Sequence, residues 1–331
     1  MDATVLVTGG AGFIGSHLVD ELIDMKSTVV VLDDLSGGFR ENVNERAHFL
    51  EGSINDEKLI KTIFDQYDFD YVFHLAAYAA EGLSHFIKKF NYENNLIGSI
   101  NLINASINHG IKCFVYTSSI AVYGKNQLPM TEDMTPVPED SYGIAKSAVE
   151  QELKICKEMF GMDYIIFRPH NVYGERQNIG DRYRNVIGIF MNQIMQGRPL
   201  TIFGDGMQSR AFTYIKDVSP IIAKSICIKG AYNEIFNIGA DDVYTVNELA
   251  EKVCELMGVE LKIRYLDERN EVKHAYSSHD KLRKVFNYDP IYSLADGVKN
   301  MAEWAKNTGS RQSKHFENIE VRKNIPKSWA E

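Results

Sequence analysis

A glycine-rich turn between a short β-branched run and an amphipathic segment constrains the fold more than any other feature of this sequence. The turn lies in the segment Thr8-Gly-Gly-Ala-Gly-Phe-Ile-Gly15. Gly9 permits the tight turn, Gly12 lets the backbone approach a ligand closely, and Gly15 lets the following helix pack closely on the strand. Such a helix presents free N–H groups and a partial positive charge at its N-terminus. The segment therefore predicts a strand–turn–helix unit that holds a phosphate group.

An acidic residue at the end of the second predicted strand completes a dinucleotide-binding pattern. Asp33 follows Gly15 by eighteen positions, and its carboxylate can accept hydrogen bonds from an adenosine ribose. Asp33 would also repel a 2′-phosphate, and Asp34 reinforces this repulsion. Arg40 is close enough in sequence to keep the alternative open. The pattern predicts NAD as the cofactor in preference to NADP.

β-Branched runs alternate with amphipathic segments through the first half of the chain. This alternation predicts βαβ units and a parallel sheet covered by helices on both faces. The predicted strands are Val5–Thr8, Thr28–Leu32, His48–Leu50, Tyr71–Leu75, Phe114–Thr117 and Tyr164–Phe167, and the predicted helices are Phe13–Asp24, Leu59–Gln66, Asn95–His109 and Tyr142–Phe160.

The pattern changes after Arg168, where polar and glycine-containing stretches interrupt shorter elements. We therefore expect an α/β fold with a doubly wound parallel Rossmann sheet and a smaller, loop-rich C-terminal substrate lobe. The Rossmann domain would comprise residues 1–168 and contribute the catalytic side chains, and the lobe would comprise residues 169–331. The segment near 234–239 is a candidate for a strand that returns to the sheet. Trp329 is a candidate anchor for the polar C-terminal residues.

Charge and cysteine content limit the class of protein. The net charge is −9, from 36 basic and 45 acidic residues, which argues against general affinity for nucleic acid or for an anionic membrane. The four cysteines form no CxxC pair, and the histidines show no metal-ligand spacing. The chain begins with a strand, and no apolar run approaches the ~18 residues of a membrane span. We expect a cytoplasmic protein with reduced thiols and no metal.

A YxxxK motif begins the strongest predicted helix. Tyr142 and Lys146, at i and i+4, lie on one helical face. The ammonium would favour the phenolate and move a phenol pKa of ~10 towards neutrality, which would create a base for alcohol oxidation. Such a motif alone is more simply a solvated helix face. Here, however, Ser118 and Ser119 end the preceding strand, where parallel sheets bind ligands, and a hydroxyl there can hydrogen-bond the reacting oxygen.

Together these segments resemble the extended short-chain dehydrogenase/reductases, specifically the nucleotide-sugar epimerases of the UDP-glucose 4-epimerase type. The resemblance covers roughly residues 3 to 305. It rests on the segments TGGAGFIGSHL, VLDDLS, FHLAA, YENNLIGS, YTSSIAVYG, YGIAK, FRPHNVYGERQ and GDGMQSRAFTYIKDV.

The resemblance implies a catalytic group of Ser119, Tyr142 and Lys146. Tyr142 would take the proton from the sugar 4-hydroxyl, Ser119 would hydrogen-bond the same oxygen, and Lys146 would hold the nicotinamide ribose. The chain departs from the family at Ser53, where Asp is more common, and at Ala79, where some members have a lysine. The implied cofactor shell, besides Tyr142 and Lys146, is Gly9, Gly12, Phe13, Ile14, Gly15, Asp33, Asp34, Ser53, Ile54, Leu75, Ala76, Ala77, Ala79, Asn94 and His170, the last standing where relatives often have phenylalanine.

The resemblance also implies a substrate site. Arg210 and Arg269 would clamp the substrate diphosphate, although Ala211 replaces the Asp that usually follows the first arginine. Ala275, counted from Glu271 in a segment one residue shorter than usual, would leave room for an N-acetyl group beside sugar C2. Alternatively, the shorter segment shifts the register and Tyr276 fills that space. The implied substrate residues are Ser119, Asn171, Asn185, Val186, Arg210, Arg269 and Ala275.

The leading hypothesis is NAD-dependent epimerisation of a nucleotide-diphosphate sugar at C4 through a 4-keto intermediate. UDP-glucose and UDP-galactose are the expected substrates, with UDP-N-acetylglucosamine and UDP-N-acetylgalactosamine if Ala275 is placed as counted. Ile120 and Ala121 replace the Asp-Glu pair of the dehydratase branch. The alternatives are a dehydrogenase or reductase with net redox, another epimerase on the same fold, and a non-catalytic NAD sensor. The resemblance implies a homodimer that pairs through Asn95–His109 and Tyr142–Phe160.

Overall fold

The chain is described by a computed structural model that covers residues 2–125, 127–269, 272–312 and 316–330. The strands are β1 (Thr4–Thr8), β2 (Thr28–Asp33), β3 (His48–Glu51), β4 (Tyr71–His74), β5 (Cys113–Thr117), β6 (Asp163–Pro169), β7 (Val172–Tyr173), β8 (Leu200–Phe203), β9 (Ser209–Ala211), β10 (Thr213–Tyr214), β11 (Glu234–Ile238), β12 (Val243–Thr245), β13 (Ile263–Leu266) and β14 (His274–Ala275).

Helices connect these strands. The α-helices are α1 (Phe13–Asp24), α2 (Glu57–Gln66), α3 (Glu81–Ser84), α4 (Lys88–Tyr92), α5 (Gly98–His109), α6 (Ser141–Phe160), α7 (Val186–Met195), α8 (Ser219–Lys224), α9 (Val246–Met257), α10 (Asp280–Phe286), α11 (Leu294–Thr308) and α12 (Lys327–Ala330). A π-helical turn, Glu93–Ile97, precedes α5, and short 3₁₀ turns occupy Arg40–Asn42, Ile120–Tyr123, Ile215–Asp217, Ser225–Cys227 and Lys229–Ala231.

Seven of the described strands form one parallel sheet in the order β11-β6-β5-β4-β1-β2-β3. The strand order reverses at β1, which lies between β2 and β4. In open α/β sheets such a switch point leaves a crevice at the carboxyl ends of the strands, where ligands bind. The predicted doubly wound parallel sheet is therefore confirmed.

Apolar side chains cover both faces of the sheet. Along β1, Val5 and Val7 belong to one buried cluster with helix α1, whereas Leu6 belongs to a second cluster with α5 and α6. Successive side chains of a strand point to opposite faces, so a continuous apolar run is what a sheet covered on both faces requires.

The C-terminal half both extends the sheet and builds the smaller lobe. Strand β11 pairs in parallel with β6 at the sheet edge. The remaining strands form small sheets, β12-β9-β14, β13-β8 and β10-β7. Apolar residues of α7, α9 and α11 pack into the same cluster as β1 and α1. The division at residue 168 stays a prediction.

The structure places Cys113, Cys156 and Cys254 in buried positions and Cys227 in an exposed one, all as free thiols. Among the described residues, no group of His, Cys, Asp and Glu side chains is arranged to hold a metal ion. Within the same ranges, no helix has both the length and the apolar character needed to cross a membrane.

Candidate active site

A cavity of about 480 Å³ opens at the switch point of the sheet. Residues just after β1, β2, β4, β5 and β6 contribute to its wall, so the parallel strands direct their carboxyl-end loops to one place. The smaller lobe closes the opposite side through loop residues such as Arg184 and Arg269.

The glycine turn forms one end of the cavity and leaves no room for side chains. Gly9 has a φ of +75°, and a Cβ there would lie 2.7 Å from the backbone nitrogen of Ala76. A Cβ at Gly15 would lie 2.1 Å from the carbonyl oxygen of Gly9. No side chain caps the start of α1, and Phe13 and Ile14 of its first turn line the cavity. The turn can therefore present helix N–H groups to a phosphate.

Two carboxylates stand at the end of β2. Asp33 is 8% exposed and accepts hydrogen bonds from the backbone N–H groups of Ala11 (3.0 Å) and Leu35 (2.8 Å). Burial raises the pKa of Asp33, and these hydrogen bonds oppose the rise. Asp34 is exposed and accepts a hydrogen bond from the N–H of Ser36. Both carboxylates line the cavity.

The YxxxK pair and the strand-end serine meet at the middle of the cavity. Ser119, Tyr142 and Lys146 all line it and are all buried. The Lys146 ammonium donates a hydrogen bond to the carbonyl oxygen of Thr117 (2.8 Å), and its Nζ lies 5.7 Å from the centroid of the Tyr142 ring. Burial lowers the pKa of Lys146 to about 7.

The electrostatic state of Tyr142 differs from the sequence expectation. Burial raises its pKa above the usual value, and the charges of Glu81 and Asp140 act in the same direction. A hydrogen bond with Ser119 and the charge of Arg184 oppose this rise. Desolvation penalises the phenolate, and the same burial makes Lys146 a weak cation at neutral pH. In this structure burial therefore favours the neutral form of Tyr142 over the phenolate.

A buried ion pair contacts the segment that follows β5, where Ser118 and Ser119 lie. Glu150 accepts hydrogen bonds from the Arg168 guanidinium (2.9 and 2.5 Å) and from the Ser118 hydroxyl (2.5 Å). Arg168 also stacks on the Tyr123 ring, 4.6 Å from its centroid. Removing one partner would leave a buried charge unpaired, which is strongly destabilising. The network fixes the backbone next to Ser119.

Most residues of the predicted cofactor shell line the cavity, but two do not. Ser53 instead accepts a hydrogen bond from the N–H of Asn55 through its hydroxyl. His170 is buried with its Nε2 2.9 Å from the Nε2 of His279, and burial lowers its pKa to about 3. A Cβ at Gly239 would lie 1.8 Å from the His170 ring, so this ring packs against the end of β11 and not against the cavity. The predicted shell residues that line the cavity are Gly9, Gly12, Phe13, Ile14, Gly15, Asp33, Asp34, Ile54, Leu75, Ala76, Ala77, Ala79, Asn94, Tyr142 and Lys146.

The predicted substrate residues likewise divide into those that line the cavity and one, Ala275, that does not. Asn171, Asn185, Val186, Arg210 and Arg269 line the cavity, mostly on the side of the smaller lobe.

Arg210 is held by the backbone, since its guanidinium donates hydrogen bonds to the carbonyl oxygens of Ser209 (2.8 Å), Lys273 (2.9 Å) and Val272.

Ala275 lies behind the cavity wall. Its methyl group is buried in a cluster with Ile120 and Met130, and neither Ala275 nor Tyr276 is among the described residues that line the cavity. Glu271, from which the position was counted, lies outside the described residues. Val272 of the same segment does line the cavity.

The cavity also contains residues that the sequence analysis missed, above all Arg184. Its guanidinium pairs with Asp181 (2.7 Å) and lies 4.8 Å from the centroid of the Tyr78 ring. A Cβ at Gly37, in the loop that follows Asp33, would lie 3.3 Å from Arg184 Nη2. The side chain thus brings a positive charge between Tyr78 and the loop that follows Asp33. The sequence offered one signal for Arg184, namely that it directly precedes the predicted substrate residue Asn185.

Comparisons with known proteins show the family to which the chain belongs. A sequence profile of the NAD dependent epimerase/dehydratase family matches residues 5–239. The crystal structure of UDP-glucose 4-epimerase from Thermotoga maritima with UDP-glucose is similar, with a TM-score of 0.88, 36% identity, and coverage of 92% of this chain and 99% of that one.

Two further structures bear other sugars. UDP-N-acetylglucosamine 4-epimerase from Methanobrevibacter ruminantium, in complex with UDP-N-acetylmuramic acid, has a TM-score of 0.86 and 34% identity, with 93% of this chain and 99% of that one covered. UDP-glucuronic acid 4-epimerase from Bacillus cereus, in complex with UDP-glucuronic acid and NAD, has a TM-score of 0.85 and 28% identity, with 92% and 99% covered. The sugar thus varies among proteins of this fold.

Proposed function

Since the chain belongs to the NAD dependent epimerase/dehydratase family, we propose that it interconverts UDP-hexoses that differ in configuration at C4. The observation that carries this proposal is the position of Ser119, Tyr142 and Lys146. They lie together in a cavity that has a side-chain-free glycine turn at one end and arginines of the smaller lobe at another. A dinucleotide and a nucleotide sugar can then meet at Tyr142.

The residues of the cavity suit NAD, the cofactor of this family. Gly12 lines the cavity without a side chain, which suits close approach of a diphosphate, while Gly9 and Gly15 let the turn and α1 pack closely. Asp33 keeps lone pairs for a ribose hydroxyl while two backbone N–H groups hold its carboxylate in place. When bound, NAD supplies a hydride acceptor at the sugar carbon.

Tyr142 performs the proton transfer in this proposal. The base is the phenolate of Tyr142, a form that the positive charges of Lys146 and of a bound NAD would favour against the effect of burial. The phenolate oxygen takes the proton of the sugar 4-hydroxyl and later returns it to the same oxygen, so protons balance over one turnover. Ser119 hydrogen-bonds that oxygen in both directions. Lys146, whose ammonium donates a hydrogen bond to the carbonyl oxygen of Thr117, would hold the nicotinamide ribose of NAD. Between the two half-reactions the 4-keto sugar rotates in the cavity and presents its opposite face.

Two features favour epimerisation of a neutral hexose. Ile120 and Ala121, next to Ser119, are buried and carry no acid or base that could expel water from the sugar. Glu81 and Asp140 line the cavity together with Tyr142, and their charges raise the pKa of its phenol. The same carboxylates would repel a sugar carboxylate, so we expect UDP-glucuronic acid to be a poor substrate.

The test is incubation with UDP-glucose, UDP-galactose, their N-acetylated counterparts and UDP-glucuronic acid, followed by NMR analysis of the products. We expect C4 epimers of the neutral sugars. Tyr142→Phe should lower turnover by ~10²–10⁴ while NAD binding is retained. Tyr67→Phe, at a tyrosine that does not line the cavity, is the matched control. Accumulation of NADH with an oxidised sugar would instead indicate a dehydrogenase, and near-normal activity of Tyr142→Phe would contradict the mechanism.

A further inference from the structure

The C-terminal residues 316–330, here called the tail, follow the segments within residues 3 to 305 on which the resemblance to the epimerase family was based. The solved relatives are covered to 99% of their length, yet they account for only 92–93% of this chain. The tail nevertheless packs on the body of the protein, since its Trp329 is only 5% exposed.

Trp329 packs on residues that also line the active-site cavity. Its ring meets Tyr183 edge-to-face with 5.4 Å between centroids, and it lies 6.3 Å from Phe203. A Cβ at Gly82 would lie 3.1 Å from the indole ring. Tyr183, Phe203 and Gly82 all belong to the cavity wall. Trp329 therefore forms the layer directly behind that wall.

The same tryptophan adjoins a predicted substrate arginine. The Arg269 guanidinium carbon lies 4.6 Å from the centroid of Phe203 and 5.8 Å from that of Trp329. Arg269 also lines both the active-site cavity and an adjoining pocket of about 620 Å³, which Trp329 helps to form. Aromatic faces attract a guanidinium and limit its rotamers. Phe203 and Trp329 thus hold Arg269 at the border of the two cavities.

Polar contacts fasten the tail on each side of this site. The Glu320 carboxylate accepts hydrogen bonds from the backbone N–H groups of Lys89 (2.7 Å) and Phe90 (2.9 Å) at the start of α4. The Arg182 guanidinium donates a hydrogen bond to the carbonyl oxygen of Ser328 (2.8 Å). Because Phe90 also lines the cavity, the tail is joined to both sides of the site.

We propose that the tail is a substrate-positioning element, in which Trp329 holds Arg269 for the diphosphate of the nucleotide sugar. This inference rests on the proposed function. It makes Trp329 a positioning residue and not a catalytic one, because it acts through Arg269. Its loss affects substrate binding and leaves the chemistry at Tyr142 and the cofactor end unchanged.

Calorimetric titration with UDP tests the proposal without turnover. We expect Trp329→Ala to weaken UDP binding and raise KM for UDP-glucose roughly tenfold, with kcat and the dissociation constant of NAD changed less than about twofold. Trp329→Phe, which keeps an aromatic face, should recover most of the affinity. Val321→Ala, at a half-exposed apolar residue of the tail, is the matched control.

Equal UDP affinity and KM in wild type and Trp329→Ala would overturn the inference alone. Parallel losses of UDP and NAD binding with a lowered melting temperature would also overturn it, because Trp329 would then be a general folding residue. A wild-type protein that binds NAD but not UDP would contradict the proposed function itself.

Discussion

Asp33, Tyr142 and Lys146, the ionisable residues on which the site depends, all have pKa values shifted mainly by burial. Burial disfavours the charged form, so it raises the pKa of the acids and lowers that of the amine. Their chemistry therefore depends on the fold around them, although each was identified from the sequence.

Asp33 should set the choice between NAD and NADP. Its buried carboxylate would repel a 2′-phosphate of the same charge, and like-charge contacts of this kind cost several kcal/mol. We expect the wild type to prefer NAD by about 100-fold or more, and Asp33→Ala to reduce this preference by roughly tenfold or more. Calorimetric titration with NAD and with NADP measures this preference. Asp24→Ala, at an exposed aspartate outside the cavity, is the control. Equal NAD and NADP affinity in the wild type would contradict the assignment.

Lys146 should make the stability of the cofactor-free protein depend on pH. Its pKa is about 7 in the folded state and near ~10.4 when unfolded. Between these values the unfolded chain binds more protons, so the free energy of unfolding rises with pH. We expect the free energy of unfolding, measured by urea denaturation, to rise from pH 7 to pH 9. In the folded protein the pKa of His170 lies well below this range. Lys146→Met should flatten the rise, and an unchanged slope would show that Lys146 is not the source.

At the scale of elements, local sequence patterns predicted the helices and strands of the first half better than those of the second, where the fifteen-residue helix α11 was missed. Helix α6 begins where the YxxxK motif predicted it and ends before Gly161. The predicted helix at Asn95–His109 instead starts with a π turn, in which Asn95 accepts a hydrogen bond from the backbone N–H of Tyr78. Helix α4 was not predicted, since its first turn is held by Glu320 of the tail.

Strand β14 contains Ala275, the residue that the sequence analysis assigned to the space beside sugar C2. Neither Ala275 nor Tyr276 fills the described cavity, so we expect N-acetylated UDP-hexoses to be accepted together with UDP-glucose. A tyrosine at 275 would displace the neighbours of this methyl group, which include Val272 of the cavity wall. Ala275→Tyr should therefore reduce kcat/KM for UDP-N-acetylglucosamine roughly tenfold or more relative to UDP-glucose, with Ala275→Ser as the small control. An equal loss for both sugars would contradict a specific role at C2.

At the scale of the whole molecule, an exposed apolar stripe supports the predicted homodimer. Ile144, Ile155 and Met159 are all exposed on α6, at helical spacing, and Ile97 precedes α5. Exposed patches of this kind mark interaction sites. We expect light scattering to give twice the chain mass, and Ile155→Glu with Met159→Glu to give the chain mass with the fold retained. Lys154→Glu, on another face, is the control. A monomeric wild type would contradict the pairing.

The sequence by itself determined the features whose causes are local. A glycine turn, an apolar run and an i, i+4 pair each act within about a dozen residues, so the Rossmann sheet, the glycine turn and the Tyr142–Lys146 pair were predicted from local patterns. Asp33 followed from its place after the second strand, and the resemblance to a family joined Ser119 to the pair as a catalytic group. Only the tertiary structure decided which distant groups meet. It brought Arg184 to Gly37, Arg269 to Trp329, and His170 to His279 and away from the cavity. Such contacts depend on how whole elements pack, and no short stretch of sequence specifies that.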